Sequence, residues 1–514
     1  MRIGVDVGDT HTDVVLMAGA DIVYTHKTPA AGNAIDSALL AVDSILRNTR
    51  VQACEIDSVA IATTQLARAF RERRDLARVG VLRFEFPAAP TAAPLEQWPA
   101  DLIDCLDPVV DILPGGYELQ GRPVARLDSG EVRFAVDSMH QRGIRSLALS
   151  CVTPAMHPDV EQRAASLLRL AFPDVHLTLA SKIGRGGPIE RENTAIVNAS
   201  LVPMARATAR ALSRELWRLN LNAAVFICRN DGTLMDPAWM ARFPVLTFAS
   251  GAAHSLRGAA HLSGRTHACV VDIGGTTTHV GEVKNGFLRE ASTSTVLDGV
   301  RVSFNRPELH VLRMGGASIV RRGADGTVRV GPECVPDLMT DALVFGGDRV
   351  TATDIAVAAG IARIGDRSRA AWLPPGLVKD ALEVLRRQVD GALAAIRPAD
   401  SLLPIVLSGG GTSVLPRSPD PTSQTTTPTH HAVAGAVGAA TGLVSGEVDR
   451  VYSYKKLSRA EALEKARNGA VRAAVEAGAV RKTVEVREIT ETPIGNGTGT
   501  SVRVRVRAVG RAPG

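Results

Sequence analysis

Two short stretches of the sequence combine an aspartate, glycines and threonines in a pattern that suits phosphate chemistry. The first, GVDVGDTHTD, contains Asp6, Gly8, Thr10 and Thr12, and the second, VVDIGGTTTH, follows about half a chain length later. Each aspartate lies near the end of an apolar run, and a carboxylate there can hold a hydrated Mg²⁺ ion. Glycine permits a tight turn in which backbone N–H groups and threonine hydroxyls point to one place, where a phosphate chain fits. An ordinary hairpin turn would explain a single Asp–Gly–Thr stretch equally well. It is the presence of two such stretches that indicates a phosphate site.

A third glycine-rich element supports the same chemistry. The corresponding residues of the second stretch are Asp272, Gly274, Gly275 and Thr276. The run IVLSGGGT places Gly409, Gly410 and Gly411 directly after an apolar strand, where the chain can pass flat against a planar base. A simple strand-to-helix turn is the alternative for this loop. The motifs GxxxxGK(S/T), GxGxxG, HExxH and GxSxG are absent from the sequence, so no other nucleotide or hydrolase motif competes.

The elements that must position these residues follow an α/β pattern. Apolar periodicity predicts strands over 2–7 and 13–17 and a helix over 35–47. Between 51 and 160 short apolar runs alternate with helical segments, and 84–130 is richer in proline and glycine, which indicates an inserted segment. Further along, the patterns predict a helix over 190–219, strands over 223–228, 244–249, 268–273 and 404–408, helices over 352–361, 375–396, 432–446 and 457–478, and strands over 482–489 and 501–509.

Composition excludes several classes of protein. The 514 residues are 45% hydrophobic and 22% charged, which excludes global disorder and indicates several domains. The net charge of +6 is spread without a basic run interleaved with aromatics, so nucleic acid is not an expected partner. No apolar stretch reaches the roughly 18 residues of a membrane span, and Asp6 and Asp9 interrupt any leader, so we expect a cytoplasmic protein. Isolated cysteines in apolar runs predict buried thiols at Cys151, Cys228 and Cys269.

Taken together, the three glycine elements resemble the phosphate-1, phosphate-2 and adenosine elements of the actin, sugar-kinase and heat-shock-chaperone ATPase superfamily. More narrowly, the chain resembles the hydantoinase/oxoprolinase family in its short, hydantoinase A-like form. Further matching stretches, in family order up to about residue 446, are IERENTAIVNASLVP, RNDGTLM, TFASGAAHSLRGAA, GGASI, FGGDRVTATD and AVAGAVGAATG.

The resemblance implies a fold and an activity. The fold would be two ribonuclease-H-like α/β lobes around a nucleotide cleft, with residues 1–189 in the first lobe and 190–446 in the second. The last helix of the second lobe, 432–446, could pack back on the first, and 447–514 would form a small C-terminal α+β appendage. The activity would be ATP-dependent, Mg²⁺-requiring opening of a cyclic amide, such as a hydantoin or 5-oxoproline, with a companion hydantoinase subunit as partner.

The resemblance also implies residue roles. Asp6 and Asp272 would hold Mg²⁺ through water, and Asp6 would join Glu190 in catalysis. Glu190, which matches a family Glu–Arg pair, would orient the attacking water, but a first helical turn also explains both Glu190 and its neighbour Glu192. Asp354 would contact the metal or begin the following helix. Phosphate and adenosine contacts would come from Gly8, Thr10, Thr12, Gly274, Gly275, Thr276, Gly409, Gly410 and Gly411.

Three positions depart from the family pattern. Asp9 replaces a usual glycine, and His279, which we expect to be an exposed turn residue, replaces a usual aspartate. On the expected substrate side Thr63 and Thr64 are retained, but Arg68 stands where the family has an asparagine. An arginine side chain binds carboxylates well, so one alternative is a substrate that contains a carboxylate group. The other alternative is that the substitution abolishes catalysis. Two alternatives therefore stay open: a nucleotide-binding regulatory or assembly subunit, and a small-molecule kinase that releases its phosphorylated product.

Overall fold

The structure, a computed structural model, describes most of the chain. The described residues are 1–8, 10–30, 32–85, 92–117, 123–152, 159–184, 186–291, 294–397, 403–415, 424–454, 457–494 and 501–513. Asp9, parts of the expected insert at 84–130 and residues 416–423 therefore lie outside the described residues.

The first elements form the centre of a large sheet. They are β1 (Arg2–Val7), β2 (His11–Ala18), β3 (Asp21–Pro29), α1 (Ala34–Asn48), β4 (Ser58–Thr63) and α2 (Gln65–Glu72). Strands β1, β2 and β3 are antiparallel neighbours, and β4 pairs parallel to β1 on its other side. Ile3 and Val5, which point to the same face of β1, are fully buried.

The segment that follows forms a sheet of its own. Its elements are β5 (Val79–Glu85), α3 (Ala100–Leu106), β6 (Val109–Pro114), β7 (Gly116–Tyr117), β8 (Pro123–Ala125), α4 (Ser129–Gln141), β9 (Ser146–Cys151), α5 (Asp159–Ala171), β10 (His176–Leu179) and α6 (Ala180–Ile183). Four of the strands pair in parallel in the order β10-β9-β5-β6. The region predicted as an insert thus belongs to a larger parallel α/β unit.

A long helix then leads the chain back to the first sheet. The elements are α7 (Pro188–Arg218), β11 (Ala224–Cys228), β12 (Leu234–Met235), α8 (Pro237–Arg242) and α9 (Ser250–Leu262). Strand β11 pairs parallel to β4, so the first sheet continues past the lobe boundary expected at residue 190. The strand predicted over 244–249 is wrong: Pro244–Thr247 is a 3-10 turn, because Pro244 has no N–H for a sheet ladder. Its apolar residues are buried all the same.

The next region forms the second lobe's sheet. Its elements are β13 (Ala268–Ile273), β14 (Thr278–Lys284), β15 (Phe287–Leu288), β16 (Thr295–Leu297), β17 (Val300–Val302), β18 (Leu309–Leu312), β19 (Ser318–Arg322), β20 (Val328–Cys334), α10 (Leu338–Asp341), α11 (Ala352–Ala358), α12 (Pro375–Ile396), β21 (Ile405–Ser408) and β22 (Thr425–Thr426). The strand order is β15-β14-β13-β21-β22, with β18 beside β14. The β13–β14 hairpin and its parallel neighbour β21 repeat the arrangement of β1, β2 and β4.

The last elements return to the first sheet. They are α13 (Ala434–Ala440), β23 (Leu443–Ser453), α14 (Arg459–Glu476), β24 (Glu485–Ile494) and β25 (Ser501–Arg511). The full order of this sheet is β24-β25-β23-β12-β11-β4-β1-β2-β3. The helix predicted over 432–446 is shorter than expected, because the chain from Leu443 onward pairs with β25. The segment expected as an appendage, 447–514, thus contributes edge strands to the first lobe's sheet.

Other features agree with the sequence. The predicted thiols Cys151, Cys228 and Cys269 are buried. Among the described residues, no helix is both long enough and apolar enough to cross a membrane.

Candidate nucleotide site

The two Asp–Gly–Thr turns have the same geometry. In the first, the Gly8 N–H donates to the His11 carbonyl at 3.0 Å, and in the second the Gly274 N–H donates to the Thr277 carbonyl at 2.9 Å. Each turn joins two antiparallel strands at the end of a buried central strand. The sequence repeat therefore corresponds to a structural repeat.

The two turns also face each other. Thr10 Oγ1 lies 3.9 Å from the position that a Cβ on Gly275 would occupy. Thr10 is exposed and Thr276 is half-buried, so these two side chains border the space between the turns. Thr12 differs, since its side chain is fully buried in the hairpin.

Strand register places charged side chains in one row across each sheet. On the first sheet Asp6 lies opposite Asp13, which in turn lies opposite Lys27. Lys27 Nζ is 2.5 Å from Asp13 Oδ1. On the second sheet Asp272 lies opposite His279, so a histidine occupies the position equivalent to Asp13. His279 is half-buried on β14, so the expectation of an exposed turn histidine is wrong.

The carboxylates in these two rows change one another's pKa. The pKa of Asp6 rises to about 8, firstly because burial disfavours its charge and then because Asp13 and Asp272 repel it. Burial also raises the pKa of Asp272, against the opposing effects of His279 and of hydrogen bonds with Ser255 and Ser408. Lys27 lowers the pKa of all three aspartates. The cluster holds more negative charge than the lysine offsets, so a further cation would stabilise it.

Two glycines let helices approach Asp6 closely. Gly435 on α13 is so near that a Cβ there would overlap Asp6 Oδ2, and a Cβ at Gly251 on α9 would lie 3.6 Å from Asp6 Oδ1. The two helices also pack against each other, because a Cβ at Gly438 would overlap the His254 carbonyl. Helices α9 and α13 thereby link the Asp6 turn to both sheets.

The glycine loop after β21 folds over the end of β13. Gly409 has a φ of +89°, which suits glycine, and its N–H donates to the His431 carbonyl at 3.0 Å. The Gly411 N–H donates to the Ile273 carbonyl at 2.8 Å. His431 Nδ1 donates back to the Gly409 carbonyl at 3.1 Å. A Cβ at Gly410 would meet no atom within 4 Å, so this glycine borders open space.

Residues 315–319, the matching stretch GGASI, form hydrogen bonds with the second turn. The Gly316 N–H donates to the Gly274 carbonyl at 3.1 Å, and the Ala317 N–H donates to the Gly275 carbonyl at 2.7 Å. Thr353 Oγ1 in turn donates to the Gly316 carbonyl at 2.9 Å. Thr353 therefore supports the turn from a second layer.

Asp354 lies at a helix start. Its Oδ1 accepts the Val344 N–H at 2.8 Å, and its Oδ2 accepts both the N–H and the hydroxyl of Thr351 at 2.7 Å. This capping box uses both carboxylate oxygens in a fully buried position. Of the two roles expected for Asp354, the structure therefore favours the start of a helix over a metal ligand. Within the described part of the chain, no three histidine, cysteine or carboxylate side chains converge as direct metal ligands.

The first turn of α7 separates the roles of two glutamates. Glu192 is buried and holds Arg83 through two bonds of 2.8 and 2.5 Å, so it is a structural ion-pair partner. The Glu190 carboxylate is partly exposed, 3.9 Å from Arg301 Nη1. A Cβ at Gly187 would overlap it, so the carboxylate folds back over the amino end of its own helix. Among the described contacts, none joins Glu190 to Asp6.

The expected substrate residues lie together beside the first turn. Thr63, Thr64 and Arg68 line a small cavity of about 20 Å³ with Gly8. Thr63 ends β4 next to Val7, and Arg68 lies one turn into α2. The structure thus brings the substrate residues to the first phosphate turn.

Sequence reasoning missed several of these residues. Lys27, Asp13 and Ser408 reach the site through strand register, and Gly435 reaches it through helix packing. His431 reaches the glycine loop through loop packing. The one available signal was the internal repeat, which aligns Asp13 with His279 at the same distance after each aspartate.

Two lobes that meet at paired phosphate-type turns define a protein of the actin-like ATPase fold. The sequence model described as Hydantoinase/oxoprolinase matches residues 191–494, and the one described as Hydantoinase/oxoprolinase N-terminal region matches residues 2–172. The chain therefore belongs to the hydantoinase/oxoprolinase family, as its motifs predicted.

Two known proteins show the extent of the similarity. The chain is 24% identical over 350 residues to caprolactamase subunit alpha of Pseudomonas jessenii, covering 64% of this chain and 50% of that protein. It is 24% identical over 247 residues to 5-oxoprolinase of Saccharomyces cerevisiae, covering 47% of this chain and 19% of that protein. The chain thus matches half of these curated relatives' length or less.

Solved structures confirm the fold. The crystal structure of the ATP-dependent caprolactamase from Pseudomonas jessenii superposes with a TM-score of 0.78 at 17% identity, over 99% of this chain and 88% of that one. The nucleotide-free structure of acetone carboxylase gives a TM-score of 0.69 at 14% identity, over 100% of this chain and 88% of that one.

Proposed function

We propose that the chain binds ATP with Mg²⁺ between its two Asp–Gly–Thr turns and uses it to open a cyclic amide of the hydantoin or 5-oxoproline type. The observation that carries the proposal is the convergence of the two turns with Asp6 and Asp272, whose carboxylates share one lysine. The family supports the choice of reaction, since its named relatives include a caprolactamase and a 5-oxoprolinase.

The residues fit magnesium and a phosphate chain. Asp6 is buried and is repelled by Asp13 and Asp272, and a divalent cation would offset both the cost of burying its charge and this repulsion. Asp6 and Asp272 would contact the ion through its water shell, because Mg²⁺ keeps several waters in such sites. When bound, the ion neutralises charge on the phosphates and on the group in transfer. The turn N–H groups and the hydroxyls of Thr10 and Thr276 would orient the phosphates, and Gly409, Gly410 and Gly411 would border the adenosine.

The chemistry overcomes the poor reactivity of an amide. The carbonyl oxygen of the ring attacks the γ-phosphorus, and the bond between that phosphorus and the ADP oxygen breaks. Water then attacks the activated carbon, the ring C–N bond breaks with a proton passing to nitrogen, and a second water releases inorganic phosphate. The protein supplies position and charge compensation for these steps. We assign Glu190 to orient the attacking water, a role that its partial exposure permits.

Arg68 supports a substrate that carries a carboxylate. It lines the same cavity as Thr63 and Thr64, beside the first phosphate turn. A guanidinium binds a carboxylate with two parallel hydrogen bonds. We therefore place the acid of the substrate at Arg68, and we propose a companion subunit, as the name of the caprolactamase alpha subunit suggests.

The test is ADP release and ring opening with matched pairs of lactams or hydantoins, one member of each pair carrying a carboxylate. We expect the carboxylated member to stimulate turnover at least tenfold more. Arg68→Gln is expected to remove that preference, whereas Arg321→Gln, on an exposed strand, keeps it. A phosphorylated product that accumulates would identify the kinase alternative. ATP binding without stimulation by any pair would favour the regulatory subunit, to which the histidine at position 279 already points.

A further inference from the structure

A large cavity lies at the amino end of β1, away from the candidate nucleotide site. Its volume is about 990 Å³, and Arg2 lines it. Arg2 and Asp6 are four residues apart on one strand, which corresponds to about 13 Å. On α9, Gly251 lies beside Asp6 whereas His261, ten residues later, lines the cavity, a separation of about 15 Å. The cavity and the nucleotide turns therefore lie at opposite ends of the same elements.

The side chains around this cavity are rich in arginine. The lining arginines are Arg2, Arg257, Arg265 and Arg511. Three of them donate hydrogen bonds to neutral acceptors: Arg2 Nη2 to Gly19 O at 2.7 Å, Arg257 Nε to Gly286 O at 3.0 Å, Arg257 Nη1 to Gly232 O, and Arg265 Nη2 to Gln424 Oε1 at 2.8 Å. Within the described stretches of chain, none of the four forms an ion pair with a carboxylate.

The positive charges act on one another. The pKa of Arg2 is lowered, first by burial and then by repulsion from Arg511. The pKa of His261 is lowered by burial and then by Arg257 and Arg2. Burial is the larger cause of both shifts, and neighbouring positive groups account for the rest.

The negative groups nearby are weaker than the arginines. Asp57 contributes one carboxylate to the lining. Helices α9 and α13 end at the cavity, and each carboxyl end contributes at most about half a negative charge. Asp57 is already paired with the amino group of Met1, so against four guanidinium groups these terms leave a net positive charge.

We propose that this cavity binds a small anion through phosphate or carboxylate groups, held by Arg2, Arg265 and Arg511. Guanidinium groups match the planar geometry of both anions and bind them with paired hydrogen bonds. The volume lies at the upper end of the range for small-molecule sites, so a metabolite with two anionic groups fits. The proposal does not depend on the function assigned to the nucleotide turns.

Isothermal titration of the full chain with two probes, pyrophosphate and glutarate, tests the proposal. The variants are Arg2→Ala with Arg511→Ala, Arg265→Ala alone, the distant control Arg321→Ala, and Thr10→Ala in the nucleotide turn. We expect at least one probe to bind with a Kd below 1 mM, and each cavity variant to weaken it at least tenfold. Arg321→Ala and Thr10→Ala are expected to leave that affinity unchanged.

The outcomes separate the sources of the anion. Binding of pyrophosphate alone identifies a phosphate ligand, and binding of glutarate alone identifies a carboxylate ligand. Binding that Thr10→Ala abolishes and the cavity variants keep would place the probe at the nucleotide turns and overturn the proposal. Failure of both probes to bind the wild-type chain would overturn it as well. If the double variant does not fold, the affinity of Arg265→Ala for the probes is the test, because the Arg265 side chain is hydrogen-bonded only to the Gln424 side chain among the contacts described.

Discussion

At the scale of single residues, the central feature is a set of aspartates that carry more charge than Lys27 offsets. Asp6, Asp13 and Asp272 all have a raised pKa, and burial is the largest cause in each case. Such a cluster costs stability when no cation is bound, and under the proposed function it would favour Mg²⁺. Under that proposal, function and stability oppose each other at Asp6.

Asp6→Asn is expected to raise the thermal stability of the nucleotide-free protein. The unfolded chain ionises this carboxyl near its ordinary pKa of 3.8, whereas the folded chain holds the proton until about pH 8. The wild type therefore loses stability as the pH rises between these values, and the advantage of asparagine grows across the same window. Melting curves at pH 5 and pH 8 should show a gain at pH 8 that exceeds the gain at pH 5 by at least about 3 °C. A gain that is equal at both pH values would contradict the assignment.

Lys27→Met is expected to weaken Mg²⁺–ATP binding about tenfold and to lower the melting temperature. The reason is that Lys27 compensates three aspartates and lies 2.5 Å from Asp13. Binding titrations and melting curves measure both effects. Lys284→Met, an exposed lysine at the end of β14, is the matched control and should change neither. Unchanged nucleotide affinity in Lys27→Met would remove Lys27 from the site.

At the scale of elements, local sequence patterns predicted several strands and helices well. The strands at 2–7 and 268–273 and the helix at 375–396 were predicted with the bounds observed, because each is a periodic run with clear ends. The strand predicted over 244–249 is wrong, because these apolar residues are buried in a turn that begins with Pro244. Lys27 and His431 could not be assigned, because strand register and loop packing bring them to the site from elsewhere in the chain.

Helix α13 makes a specific prediction, because its contact with Asp6 requires a glycine. In Gly435→Ala the new Cβ overlaps the Asp6 carboxylate, so we expect nucleotide affinity to fall at least tenfold and stability to fall as well. Gly391→Ala on α12 is the control, since its Cβ meets no atom within 4 Å. That variant should gain about 0.5–1 kcal/mol in the free energy of unfolding from helix propensity alone. Equal unfolding free energies in denaturant melts and equal nucleotide affinities in titrations would contradict the close contact between Gly435 and Asp6.

At the scale of the whole molecule, the chain order and the sheet order diverge. The sequence repeat predicted two lobes, but it did not reveal that β11, β12 and the C-terminal strands belong to the sheet of β1. Pairing between strands that are hundreds of residues apart leaves no local pattern to detect. Arginine and valine alternate in β25, and Val504 and Val506 on one face are fully buried, but Arg507 on the other face is buried as well.

Ion pairs join these C-terminal strands to the second lobe. Arg505 Nη2 lies 2.7 Å from Glu290 Oε2, and Arg507 also contacts Glu290. Glu290→Gln is expected to cost about 2 kcal/mol of unfolding free energy, because two partly buried guanidinium groups lose a shared carboxylate. Glu333→Gln, in an exposed pair with Arg321, should change it by less than about 0.5 kcal/mol. Equal effects of the two changes in urea titrations would show that the contact between the lobes contributes no stability.

Calorimetric titration of the chain with a non-hydrolysable ATP analogue, with and without Mg²⁺, tests the proposed nucleotide site most directly. We expect one nucleotide per chain, tighter binding with Mg²⁺, and at least a tenfold loss of affinity in both Asp6→Asn and Asp272→Asn. Binding that ignores Mg²⁺ and survives both substitutions would contradict the assignment of the paired turns, and so would the absence of any binding.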